Sequence, residues 1–270
     1  MKNYLSAILL VCIATASQAQ RIELGAFGGA SYYMGDLNPK KPFELSQPAF
    51  GFVYRYNFHN RIALKASFTR GKVMGDDLIT KYREERGINF ETNINELAAV
   101  MEFNFLEYFT GSSHNFITPY IFGGVGVFTF EPKATYENIS YNLRNEKTEI
   151  DKHLRDTIRN YSRVALSFPF GIGVKYSVND VIGITLEWGM RKTTTDYLDD
   201  VSTVYPNDVN GNPDNPSPYP PFDPSGNYSA GMQRGNSKDN DWYSFAGVSV
   251  IFRINFRGKA RCDEPDRMRL

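Results

Sequence analysis

Between Val164 and Val178 every second residue is large and apolar: Val164, Leu166, Phe168, Phe170, Ile172, Val174, Tyr176 and Val178. The positions between them are Ala165, Ser167, Pro169, Gly171, Gly173, Lys175 and Ser177. This is the period of a β-strand, whose successive side chains point to opposite faces. After Asn179-Asp180, a pair suited to a tight turn, the pattern resumes. Ile182, Ile184, Leu186, Trp188 and Met190 alternate with Gly183, Thr185, Glu187, Gly189 and Arg191. A strand pair in a soluble sandwich would set many Lys, Thr and Ser side chains against water. Here the second face is mostly small with a few charges, which suits the crowded lumen of a narrow barrel, while the apolar face suits lipid. The first strand, Val164 to Val178, exceeds the roughly 9–11 residues that a tilted strand needs to cross a bilayer, so the wall is expected to project beyond it. Pro169 lacks the N–H that a ladder uses and is expected at a bulge or irregularity.

The same alternation recurs along the chain. A first strand starts at Arg21, with Ile22 and Leu24 on one face and Glu23 and Gly25 on the other. Phe50, Phe52, Tyr54, Tyr56 and Phe58 mark the second, and Ile62, Leu64, Ala66 and Phe68 the third, ending at Gly71. Leu97, Ala99, Met101, Phe103 and Phe105 mark the fourth. The fifth, Ile117 to Phe130, is apolar on both faces, which leaves its register open. The last carries Ala246, Val248, Val250, Phe252, Ile254 and Phe256, and ends on an aromatic residue as outer-membrane barrels do. Short turns near His59, Gly111 and Asn179 alternate with long connections at about Asp36–Pro48, Lys72–Phe90, Glu131–Asn160 and Thr193–Asp239. A helical turn or two is expected in the third of these. The expected fold is therefore all-β, an eight-stranded antiparallel transmembrane outer-membrane β-barrel with long extracellular loops and short periplasmic turns.

Composition narrows the alternatives. No later run approaches the roughly 18 apolar residues of a membrane helix. A closed barrel is the other structure that satisfies its backbone in lipid. Zero formal net charge gives no footprint for nucleic acid. Residues 1–19, with Lys2, an apolar stretch and Ser17-Gln18-Ala19, read as a cleaved signal peptide. Residues 20–257 are then the barrel and 258–270 a periplasmic tail. Cys12 leaves with the signal, so Cys262 is a lone thiol in that tail and no internal disulfide is expected.

The inward set expected from the alternation is Glu23, Arg55, Lys65, Glu96, Glu102, Lys175, Glu187, Arg191 and Arg253. An eight-stranded barrel is about filled by its own side chains, and unpaired buried charge is costly, so these residues are expected to form one ion-pair network that plugs the lumen. A barrel hydrolase or acyltransferase needs a His with Ser or Asp at its outer rim. His59 and His114 fall in the short turns and His153 stands alone in a charged loop, so enzyme chemistry is disfavoured. Asp196, Asp199 and Asp200, with Asp208 nearby, are a weak calcium candidate that matches no EF-hand spacing; capping and turn roles are the preferred reading. No metal or cofactor is expected. Trp188, Trp242, Tyr54, Tyr56, Tyr108, Phe105, Phe109 and Phe256 are expected in the aromatic girdles of the two interfaces. In the tail, Arg257, Lys259, Arg261, Arg267 and Arg269 outnumber the acids and offer a basic segment to a partner.

Particular strings add a resemblance. ELGAFGGASYYMGDLNP from Glu23, ELAAVMEFNFLEY from Glu96, TPYIFGGVGVFTFEPKA from Thr118, and LEWGMRKTTTDYLDDVS from Leu186 resemble a PorG-like outer-membrane barrel family of Bacteroidota. The resemblance implies a component of the type IX protein secretion system that touches the periplasmic ring proteins PorK and PorN and is inserted among outer-membrane lipids by the barrel-assembly machinery. It supplies no catalytic residues. Two other readings stand beside it: a surface-binding barrel that recognises a ligand or partner through its long loops, and a barrel enzyme.

Overall fold

The computed structural model describes residues 22–41, 43–145, 161–205, 223–229 and 231–254. The expected signal peptide, the tail with Arg257, Lys259, Arg261, Arg267 and Arg269, and also Phe256, His153, Asp208 and both cysteines lie outside those residues. In chain order the elements are β1 (Ile22–Met34), β2 (Gln47–His59), β3 (Ile62–Asp76), α1 (Asp77–Thr80), β4 (Asn89–Asn104), β5 (Ile117–Tyr136), β6 (Ile139–Asn142), β7 (Val164–Ser177), β8 (Ile182–Thr193) and β9 (Trp242–Arg253). Every ladder is antiparallel. The order β4-β3-β2-β1-β9-β8-β7-β5, closed by β4 against β5, makes an eight-stranded barrel. The short β6 pairs only with the outer part of β5, over Lys133–Tyr136.

Closure leaves no free edge, so the wall can lie in lipid. Phe50, Phe52, Phe68, Leu97, Ile172, Leu186 and Val248 all point outward and are exposed, as do Phe168 and Trp188. On β7 this face runs from Leu166 to Tyr176, about 33 Å along the strand at roughly 3.3 Å per residue, or ~25 Å of height at a tilt near 40°. That matches the apolar band of a membrane barrel. At the short-turn rim aromatic pairs close the band, among them Tyr56–Phe58 with ring centroids at 5.0 Å and Phe116–Tyr176 at 5.9 Å.

The fifth strand, undecided in the sequence, turns Thr118, Tyr120, Phe122, Phe128 and Phe130 inward. Pro169 produces no bulge. The β5–β7 register is the same on both sides of it, and the ladder is interrupted only where Gly124 and Val125 face Phe168 and Pro169. The missing donor is absorbed by a local gap rather than an extra residue.

Strands β3, β4 and β5 continue well past the expected ends at Gly71 and Phe130. Their alternation inverts there. Val73, Ile94 and Phe130 face inward, while Arg70, Lys72, Glu91 and Lys133 face outward, where Lys72 and Glu91 form a surface ion pair. Above the bilayer the surrounding solvent is water, so the same period of two places apolar residues inside.

This projecting half has its own core. Tyr33, Val73, Phe90, Ile94, Phe128, Phe130, Tyr243 and Phe245 pack together, and the connection after β8 drops into the mouth to join them through Tyr197, Leu198 and Val201. The Leu198 carbonyl accepts from Thr92 Oγ1 at 2.7 Å, which ties this plug to the inner wall of β4.

Candidate functional site

The inward charges collect in two places rather than one network. The lower cluster centres on Glu102 of β4. Arg55 Nη2 donates to Glu102 Oε1 at 3.2 Å, and Arg55 Nε lies 2.7 Å from Oε2 at an angle that makes it charge pairing rather than a hydrogen bond. Lys175 Nζ approaches Oε2 at 2.6 Å and Lys65 Nζ approaches Oε1 at 3.7 Å. Arg55 also donates to Glu23 at 3.0 Å, and Lys65 pairs with Glu187. Glu23, Glu102 and Glu187 thus balance Arg55, Lys65 and Lys175 in charge.

Neutral neighbours complete the cluster. Tyr120 donates to Glu187 at 2.6 Å, Thr110 to Glu23 at 2.7 Å, and Lys175 to Asn104 at 2.9 Å. Lys175 sits 4.6 Å from the Tyr120 ring centroid and Lys65 sits 4.7 Å from that of Phe122. These large rings fit because glycines face them. A Cβ on Gly189 would come 2.6 Å from Phe122 Cζ, and one on Gly171 would come 2.7 Å from it. The many glycines of the β7–β8 hairpin are therefore the complement of two bulky β5 residues.

The upper pair lies about 20 Å further along β4, at roughly 3.3 Å per residue. There Glu96 pairs with Arg191 at 3.4 Å and accepts from Tyr243 at 2.6 Å and Ser167 at 3.1 Å. Arg191 lies over the Phe245 ring at 4.7 Å. Between the two groups β4 presents Ala98 and Val100 to the lumen, and an apolar layer separates them.

Arg253, expected in the network, is absent from it. Its guanidinium donates to the Thr110 carbonyl at 2.6 Å and stacks 4.9 Å from Phe109 at the short-turn rim. The cause is the β4–β5 connection, which folds inward as a floor and buries Tyr108 and Thr110. One girdle expectation is corrected in the same way, since Tyr108 is part of that floor. Trp188 faces outward and donates to Tyr32 at 2.7 Å beneath the overhanging Phe43.

At the long-loop end Asp196, Asp199 and Asp200 are buried in the plug, each with a partner. Ser202 donates to Asp196 at 2.5 Å and Tyr161 donates to Asp200 at 2.6 Å. Tyr33 contacts both Asp199 and, at 3.0 Å, Asp241. A tyrosine has one proton to give, so one of the two carboxyls must supply the other hydrogen bond. Burial first, then the charge of Asp241, holds Asp199 well above the usual carboxylate range; burial and then Asp196 do the same to Asp241. Among the described residues no three acids, histidines or cysteines are grouped so as to hold a metal ion.

The outer loops also bury two arginines that the alternation could not single out. Arg86 forms a fork with Asp77, at 2.6 and 2.8 Å, and donates to the Arg234 carbonyl at 2.8 Å. Arg234 in turn contacts the backbone and carboxylate of Asp200. Of the histidines, His114 lies 3.0 Å from Ser113 at the exposed short-turn rim, and no carboxylate is hydrogen-bonded to its ring among the described residues.

The chain is similar in fold to several small barrels. Neisserial surface protein A aligns with a TM-score of 0.44 at 9% identity, covering 86% of this chain and 97% of that one. The outer membrane protein OprG from Pseudomonas aeruginosa aligns at 0.40 and 10%, covering 87% and 97%. The outer membrane enzyme PagL aligns at 0.35 and 13%, covering 86% and 99%. No curated protein matches the sequence. Residues 2–211 match the family described as Domain of unknown function (DUF6089), and the chain belongs to that family.

Proposed function

We propose that this protein is a non-enzymatic outer-membrane component of the type IX secretion system, exported through a cleaved signal peptide and contacting PorK and PorN from the periplasm. The observation that supports the non-transporting part is the filled lumen, and the non-enzymatic part rests on the lack of a His paired with a carboxylate at the rim among the described residues. Charge-balanced side chains, a floor at the short-turn rim and a plug at the long-loop mouth occupy the space that a solute would need to pass through the barrel. The secretion role rests on the resemblance of the GDLNP and TDYLDD strings and their flanks to the PorG-like barrels.

A filled barrel serves as an anchor that presents its rims. With the short turns in the periplasm, the exposed Phe105, Leu106, Phe116, Val178 and Val181 give that rim an apolar contact surface, to which the tail adds basic charge. Affinity purification of the tagged protein from detergent extracts tests this reading. Recovery of PorK and PorN supports it, with weaker and salt-sensitive recovery expected after deletion of the residues beyond Gly258. Absence of both proteins at low salt refutes it. The second reading, recognition at the cell surface, is favoured by the described part of the long-loop half, where the buried Arg86–Asp77 fork and the plug tie outer segments to the barrel.

A further inference from the structure

On the outside of the wall, where β8, β9 and β1 leave the membrane band, lies a cavity of about 690 Å³ roofed by the long connections. Its size is that of a small-molecule site. Its floor is apolar where Met34 and Met190 face outward, and its wall carries the rings of Trp242 and Tyr82. Lys192, the next outward position of β8 after Met190, stands opposite Phe168 of β7 and Trp242 of β9. The outward face of β8 thus changes from hydrocarbon-like to cationic inside this cavity.

The charges around it are unevenly occupied. Its three acids are satisfied within the protein: Asp36 accepts from the Asn236 backbone at 2.6 Å, Asp239 from the Asn236 side chain at 2.8 Å, and Asp241 from Leu198 and Tyr33. Its three cations, Arg83, Lys192 and Lys238, have no carboxylate within ion-pair distance among the described residues. Lys192 rests 5.6 Å from the Trp242 ring centroid, so its position is set while its donors stay free.

We propose that this cavity binds the headgroup of a phosphorylated glycolipid of the surrounding leaflet. The three cations supply charge-assisted hydrogen bonds to phosphate, the rings of Trp242 and Tyr82 carry Lys192 and Lys40, and Asn240 and Gln233, each donating once to a backbone carbonyl, keep their remaining amide positions for sugar hydroxyls. The apolar floor continues into the membrane band, so acyl chains pass from the cavity onto the barrel wall. Basic pockets at headgroup depth recognise lipids in this way. The site does not depend on the secretion role.

The full-length protein in phosphatidylcholine nanodiscs doped with bisphosphorylated lipid A, followed by native mass spectrometry after detergent release, tests the assignment. The parent is expected to retain the phosphorylated glycolipid. The R83A/K192A/K238A variant should retain it about tenfold less or weaker still, and R83K/K192R/K238R should behave as the parent. The altered side chains lie at the rim, and heat-dependent electrophoretic mobility verifies that each variant remains folded. Equal retention by the alanine variant, or equal retention of fully dephosphorylated lipid A by the parent, overturns the proposal. Competition by inorganic phosphate or glucosamine phosphate as effective as that by the lipid would reassign the cavity to a soluble anion and overturn it as well.

Discussion

Lys175 Nζ lies 2.6 Å from Glu102 Oε2 in the lumen, and neither side chain has any solvent exposure. Glu102 serves three cations at once, whereas Glu187 serves Lys65, which also reaches Glu102 at 3.7 Å. The two acids are therefore not equivalent. Glu102→Ala leaves Arg55, Lys65 and Lys175 with two acids between them and should cost about 3–5 kcal/mol. Glu187→Ala should cost less, because Lys65 keeps its second partner. Urea unfolding in lipid vesicles ranks the two; a Glu187→Ala loss equal to or above that of Glu102→Ala would contradict the geometry.

Low conductance follows from the same packing. The lower cluster, the Glu96–Arg191 pair and the apolar layer between them occupy the bore of an eight-stranded barrel, which has little room beyond its own side chains. Planar-bilayer recordings of the full chain should give no large, steady conductance. A stable open level that persists across preparations would show that the lumen or the plug opens.

The plug should weaken as pH rises. Asp199 and Asp241 are both held above their unfolded values, so the folded state binds more protons than the unfolded one across the interval between those values. Stability contributed by these acids is therefore complete below the ordinary carboxylate range and is lost as pH climbs through the folded values. Asp199→Asn removes the shared charge while keeping the shape, so its protease resistance should fall less between acidic and mildly alkaline pH than that of the parent. Parallel pH profiles would mean that the two carboxyls do not compete.

Arg86→Ala separates the two halves of the molecule. It strands Asp77, which is fully buried, and removes the link to the Arg234 carbonyl. About 3–5 kcal/mol is expected to be lost from the long-loop half, while the ladders in the membrane band remain. Limited proteolysis should cut the outer connections early and leave a heat-modifiable barrel core; loss of that mobility shift together with the loops would show one cooperative unit.

Much of this protein is written in a period of two. The alternation at Val164–Val178 and its counterparts specify strands, their inward faces and the order of short and long connections, because a strand has only two faces and a one-residue slip would exchange them all. Even the charged inward positions Glu102 and Lys175 follow from that rule. Sequence strings pointed to a barrel family by resemblance and to no chemistry; the family shown is the domain of unknown function matched over residues 2–211.

Tertiary structure alone decided which charges meet and how the ends are closed. Glu102 gathers Arg55, Lys65 and Lys175 from three other strands, while Arg253, equally inward in the pattern, is taken by the inturned β4–β5 connection. The outer extensions of β3, β4 and β5 were illegible for a different reason. Their alternation has the same period, but water replaces lipid around them, so Lys72 and Lys133 on the outside read as loop until Val73 and Ala134 are seen within. The plug and the buried Arg86–Asp77 fork join residues of irregular segments, where no period governs direction and only the packed fold sets which way a side chain points.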